Sequence, residues 1–249
     1  KCLVDALNDH AYHIREFAVR KLEIPKTDPT NIYTTIETLA KKDKSSWVRK
    51  AAIEKLSNSP KDSSYTSLFE NSIGDSSYEV AGASLKALNE VNSVKALRIA
   101  KQFEKEKDNN IVTAVADIYA KQGDSLYQSY FSDKLRNSAE LSKYYLFYYY
   151  ANYLTRMDKD VVLPGINAIE QEGMATDQHF LVGAAKGSLK RIQKSFEDKK
   201  KKAQNELADK KSETPKTELQ KNIEDYTQIS KSVDAALERL NKKPALKKN

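Results

Sequence analysis

The stretch DKSSWVRKAAIEKL, Asp43 to Leu56, is a polar turn followed by an amphipathic helix. Asp43 is followed at +5 by Val48, at +6 by Arg49, at +9 by Ala52 and at +13 by Leu56. The same offsets recur upstream, where Asp9 leads to Ile14, Arg15, Ala18 and Leu22. They recur downstream as well, where Asp75 leads to Val80, Ala81, Ser84 and Leu88. The starts lie 34 and 32 residues apart, a period that belongs to stacked supersecondary units. Positions four apart share a helical face, so +5, +9 and +13 form one apolar stripe. Asp and the polar residues after it close one helix and cap the next. The small residue at +9 lets a neighbouring helix approach closely. Arg15 and Arg49 stand at the edge of the stripe, within reach of the preceding Asp or of a carbonyl in the next unit. They read as contacts between repeats rather than as ligand-binding groups.

Each such helix has a partner before it. Ile32–Leu39 precedes the helix at Trp47–Leu56, and Tyr65–Phe69 precedes that at Tyr78–Leu88. The pattern then weakens but continues as Val94–Lys105 with Asn110–Ala120, Tyr127–Leu135 with Ala139–Leu154, and Val161–Glu172 with His179–Ile192. Connectors such as NSPKD (residues 58–62) and QGD (122–124) are short and polar. The period is close to that of tetratricopeptide repeats, but their Trp, Leu-Gly, Tyr and Phe positions are absent. Asp-x4-[Val/Ile]-Arg-x2-Ala-x3-Leu instead resembles the second helix of HEAT-type repeats, although the spacing is shorter than the commonest HEAT length. The expected fold is all-α: an α–α superhelix, a HEAT-like helical-repeat solenoid ending in a helical hairpin. Trp47, at a turn-to-helix junction, is expected to anchor local packing.

Composition supports helix throughout. Gly and Pro number only 7 and 6 in 249 residues, and charged residues make up 31%. No run approaches the roughly 18 apolar residues of a membrane span. A single cysteine, Cys2, excludes an internal disulfide and a cysteine-based zinc cluster, and reads as inert. The chain opens Lys1-Cys2-Leu3-Val4 without Met, as a fragment of a longer protein would.

The net charge of +7 is unevenly placed. Residues 194–249 hold 15 Lys+Arg against 10 Asp+Glu, and residues 1–193 hold 27 against 25. The excess lies in a Lys-rich tail, not on the repeats, which argues for a solvated face over a nucleic-acid surface. Two regions are therefore expected: repeats over 1–193 and a Lys-rich capping hairpin over 194–249. In that tail Thr214 and Pro215 start a new helix. Leu219, Ile223, Tyr226, Val233, Leu237 and Leu240 form a narrow seam along it. The seam suits a hairpin with the preceding helix or a cap on the last repeat. The final PALKKN is expected to fray.

Catalytic signatures are absent: HExxH, GxSxG, GxGxxG and GxxxxGK[ST] do not occur. His10 and His13, three apart and next to Asp9, lack a third metal ligand. No catalytic, cofactor-binding or metal residue is nominated. The most unusual stretch is YYLFYYYANYL, Tyr144 to Leu154, aromatic on every helical face. It reads either as a helix buried between neighbours or as a binding surface built from Tyr144, Tyr148 and Tyr149.

The stretches LVDALNDHAYHIREFAVRKLE, KSSWVRKAAIEKL and SLFENSIGDSSYEVAGASLKALNEV, then AVADIYAKQGD and a Tyr/Phe-rich helix, resemble the C-terminal HEAT-like region of bacterial M1-family zinc aminopeptidases. The Lys/Glu-rich tail is similar to the same region. The resemblance implies a parent enzyme that removes N-terminal residues from peptides with one zinc ion. It implies that zinc, its HExxH ligands and the substrate-amine loop belong to an upstream catalytic domain, since none of those motifs is in this chain. It further implies that the first repeat, with Leu3, Leu7 and Ile14, packs on that domain, and that the chain meets peptide substrate only indirectly, by shaping access. An extracytoplasmic, periplasmic setting goes with it. The alternative reading is a stand-alone HEAT-like scaffold for a protein partner.

Overall fold

The computed structural model describes residues 2–24, 31–59, 62–209 and 212–244. The Cys2 side chain, residues 60–61 of the NSPKD connector and residues 245–249 of the tail expected to fray lie outside the described residues. The described residues are all-α, without a strand. They divide into two compact units, Lys1–Ile118 and Tyr119–Asn249.

Unit 1 holds α1 (Cys2–Asp5), α2 (Tyr12–Lys21), α3 (Ile32–Lys42), α4 (Ser46–Ser57), α5 (Thr66–Ser72), α6 (Tyr78–Val91), α7 (Ser93–Ala100) and most of α8 (Asn109–Gln122). The second helices stack in order, α2 on α4 and α4 on α6. Ala18, Ala52 and Ser84, the +9 positions, are completely buried in that stack. Nothing larger fits where two helix backbones close on each other. Val48, Val80, Leu56 and Leu88 of the same stripe are buried too. Trp47, at the start of α4, is half exposed, so it packs only at the surface.

The repeat aspartates do their work in the turn. Asp9, Asp43, Asp75 and Asp108 each accept, through Oδ1, the backbone N–H two residues on, at 2.8 Å in all four cases. This is the Asx geometry that fixes a turn. It leaves the N-cap positions themselves, Ala11, Ser45 and Ser77, without side-chain caps. The repeat arginines then tie one turn to the next. Arg15 Nε and Nη2 donate to the Asp43 carboxylate at 2.7 and 2.8 Å, and its Nη1 donates to the Asp9 carbonyl at 2.8 Å. Arg49 does the same with the Asp75 carboxylate and the Asp43 carbonyl. Position 81 carries alanine, and the ladder stops there.

Unit 2 continues with α9 (Gln128–Asn137), α10 (Glu140–Leu154), α11 (Lys159–Ala175), α12 (His179–Ala208) and α13 (Lys216–Lys242). The composition boundary at 193/194 falls inside α12. α13 packs along α12 and also against α11, so one helix serves both as hairpin arm and as cover for the last pair. Leu219, Ile229, Val233, Ala236 and Leu240 are its buried seam. Ala236 takes the place expected for Leu237, which is half-buried. Pro215 stands one residue before the first helical position and has no capping side chain. Charge ties α13 to α11: Lys159 pairs with Asp225 at 2.6 Å, and Arg239 pairs with Glu170. Lys243 donates to the carbonyls of Met174 at 2.8 Å and Gly173 at 3.2 Å, closing the C-terminus of α11.

Candidate functional site

The aromatic helix α10 is split by its surroundings. Leu146, Phe147, Tyr150, Tyr153 and Leu154 are buried. Phe131 stacks on Tyr150 with centroids 5.1 Å apart and planes 3° from parallel. The Tyr153 hydroxyl donates to the Asp124 carbonyl at 2.7 Å, and burial pushes the Tyr150 phenol up to about 12. This half of the helix is core.

The other half is open. Tyr144 and Tyr148 are 45% and 47% exposed, and so is Phe180 of α12, at 46%. Together with Tyr145 and Tyr149 the two tyrosines form one wall of a groove of about 740 Å³ between α10 and α12. The opposite wall and floor are α12, which presents Phe180, Gly183, Ala184, Gly187, Ser188 and Arg191. These fall on two rows of residues four apart, the spacing of one helical face. Tyr144 and Phe180 approach with ring centroids 6.1 Å apart. The Ser188 hydroxyl is turned inward and donates to the Phe147 carbonyl at 2.7 Å, which ties the floor to α10. The Arg191 guanidinium lies over the Tyr148 ring, 4.6 Å from its centroid. A cavity of this size, with half of its described lining residues aromatic and one of them charged, is of the kind that takes ligands.

A second cavity in this unit, about 470 Å³, is polar and lined by Asp158, Lys159, Lys199, Asp225 and Tyr226. Its two best-placed cations are answered internally. Lys159 holds Asp225, and Lys199 donates to the Thr155 carbonyl at 2.6 Å, with burial pulling its ammonium pKa down.

Of the six surface residues singled out in the sequence, Tyr144, Tyr148 and Tyr149 come together in the groove. Leu3 is half-buried, Leu7 is buried within its own unit, and Ile14 is exposed. The sequence reading did not single out Gly183, Gly187 or Arg191. Among the described residues no group of three or more His, Cys, Asp or Glu side chains is placed to hold a metal ion. No described helix is long and apolar enough to cross a membrane.

No protein-family description matches the chain. No curated protein matches it in sequence. Solved structures do match. The Escherichia coli protein YibA aligns over 95% of this chain and 80% of its own, with TM-score 0.54 and 16% identity. An archaeal HEAT-like repeats protein from Thermococcus onnurineus aligns over 94% and 97%, with TM-score 0.43 and 14% identity. A designed armadillo repeat protein aligns over 96% and 99%, with TM-score 0.35 and 13% identity. At 16% identity the likeness to YibA speaks for the fold alone. With the stacked helix pairs and their Asp–Arg ladder, the fold is an all-α helical repeat of HEAT type.

Proposed function

We propose that this chain is a HEAT-like scaffold that holds a protein partner, with the α10–α12 groove as its docking surface. The observation that carries this reading is the groove itself, whose large aromatic side chains stand half in water beside a well-packed core. Helical-repeat proteins work through such continuous surfaces, and aromatic side chains with arginine dominate the energetic centres of protein interfaces. The test is a photo-crosslinking side chain placed at Tyr148, and at exposed Lys201 as control, in source-cell lysate. A discrete adduct from position 148 and none from 201 supports the reading. Equal labelling from both positions overturns it.

A second reading places the chain as the C-terminal region of an M1-family zinc aminopeptidase, packed on a catalytic domain that carries the zinc. The sequence resemblance favours it, and so does one face of α2. Ile14 and Phe17 are 37% and 55% exposed, whereas their counterparts Val48 and Ala51 in α4, which packs on α2, are buried. The face of the first repeat is therefore open where the next repeat's is covered. An antibody against this chain that detects a band several-fold heavier than 28.2 kDa, with chelator-sensitive aminopeptidase activity in the purified species, supports this reading. A band at 28.2 kDa contradicts it.

A further inference from the structure

Gly183 and Gly187 sit in the interior of α12, where glycine is the least favourable ordinary residue. Other helical glycines have a packing reason. A Cβ on Gly82 would meet the Asn110 carbonyl oxygen at 2.7 Å, one on Gly165 would meet Leu154, and one on Gly173 would meet Ala185 at 2.8 Å. A Cβ on Gly183 or Gly187 would meet nothing within 4 Å. Nothing in the fold requires these two positions to be bare. Both lie on the floor of the aromatic groove.

Arg191, one turn beyond Gly187, closes the row. Its guanidinium lies over the Tyr148 ring, a contact with the ring face that consumes none of its five N–H donors. Among the described residues it has no carboxylate partner. A positive fork with free donors at the end of an apolar trough calls for a carboxylate on the occupant.

The dimensions fit an extended chain. Phe180 to Arg191 is eleven helical rises, about 16 Å, the length of about five extended residues. Tyr144 and Tyr148 are one turn apart, about 6 Å, close to the roughly 7 Å between alternate side chains of an extended strand. Alternate side chains of such a strand would meet successive rings while its backbone crosses the bare glycines.

We propose, on the basis of the scaffold reading, that the groove binds a short extended peptide with apolar alternate side chains and an acidic residue received by Arg191. A single-stranded nucleic acid fits less well, because its phosphates need a track of cations and Arg191 is, among the described residues, the one charged side chain lining the groove.

The test is selection of a phage-displayed random hexapeptide library on the full chain, followed by affinity measurement with a fluorescein-labelled selected peptide and its Asp→Asn or Glu→Gln twin. Two variants accompany it: R191Q, and the double variant Gly183→Leu/Gly187→Leu, whose side chains enter open space and whose helix content is checked by circular dichroism. The expected result is enrichment of acidic peptides and a loss of about tenfold or more for the amide twin. The same loss is expected for R191Q, with no further loss when both changes are combined. The double leucine variant abolishes binding. Selected peptides that bind the double leucine variant undiminished overturn the groove proposal and leave the scaffold reading standing. So does failure to select any peptide while crosslinks from position 148 persist, and so does a labelled U12 oligonucleotide that displaces the peptide with steep salt dependence. If crosslinks from position 148 are lacking as well, both readings fall.

Discussion

Arg49 holds Asp75 with two nitrogens at 2.7 Å each, and the same guanidinium reaches back to the carbonyl of Asp43 at 2.8 Å. One side chain therefore fastens two successive inter-helix turns. Arg15 repeats the arrangement one unit earlier. Both pairs are largely removed from water, with side-chain exposures of 14% and 15% for Arg49 and Asp75. Replacing Arg49 with Ala leaves a partly buried carboxylate without its donors. The expected loss is about 2 kcal/mol in urea unfolding. Lys at this position recovers less than about half of that, because an ammonium cannot form the fork.

The same pairs set an acid limit. Burial alone would raise the Asp43 and Asp75 carboxyls. The arginine hydrogen bonds, the N–H groups of Ser45 and Ser77, and the arginine charges outweigh it, and both lie below the ordinary value. A depressed native pKa adds stability that is present above the unfolded value near about 3.9 and is lost as pH falls through the native values. Urea midpoints of the wild type should drop as pH is lowered from about 5 towards 3. Asp75→Asn should be less stable at neutral pH, and its deficit should shrink over that interval. A constant deficit would contradict the account.

Repeat comparison singles out Ser84. The equivalent positions carry Ala18 and Ala52, yet Ser84 is fully buried and its hydroxyl has no partner among the described residues. Ser84→Ala removes an unsatisfied polar group with little change in volume. It should stabilise the chain by about 1 kcal/mol, read as a higher urea midpoint with an unchanged slope.

Two glycines should respond in opposite directions. Gly82→Ala forces a methyl group to within 2.7 Å of the Asn110 carbonyl and should cost about 1–3 kcal/mol. Gly187→Ala meets nothing and gains helix propensity, about 0.5–1 kcal/mol of stability. Thermal melts of the two variants against wild type check both signs. A destabilised Gly187→Ala would mean that this glycine serves the fold.

The repeats were legible because their signal is periodic. A stripe at +5, +9 and +13 with a small central residue needs no knowledge of the neighbours, and Ala18, Ala52 and Ser84 are all buried. The arginines were read as contacts between repeats, but with their acceptors exchanged. The carbonyl belongs to the preceding Asp and the carboxylate to the next, an assignment set by how the units stack. For α10 the sequence left two readings, and burial of Leu146, Phe147, Tyr150 and Tyr153 accords with the packing one on one side of the helix, while Tyr144 and Tyr148 stand half exposed on the other. Which tyrosines face water depends on where α12 crosses, and no local pattern encodes that. Gly183 and Gly187 passed as ordinary helix residues, because the absence of a packing reason for them is visible only with neighbours in place. The available signal was two glycines four apart inside a helical stretch of a chain with only seven.

The central claim is that the groove between α10 and α12 is a docking surface for protein segments. The most direct test compares crosslinking from position 144, a second wall residue, in two backgrounds: the otherwise unchanged chain and the Gly183→Leu/Gly187→Leu variant. The account predicts a discrete adduct in the first, mapped to an extended segment of the partner, and its loss in the second while helix content is unchanged. An adduct of undiminished yield in the leucine background would mean that partners do not enter the groove, and would contradict the claim.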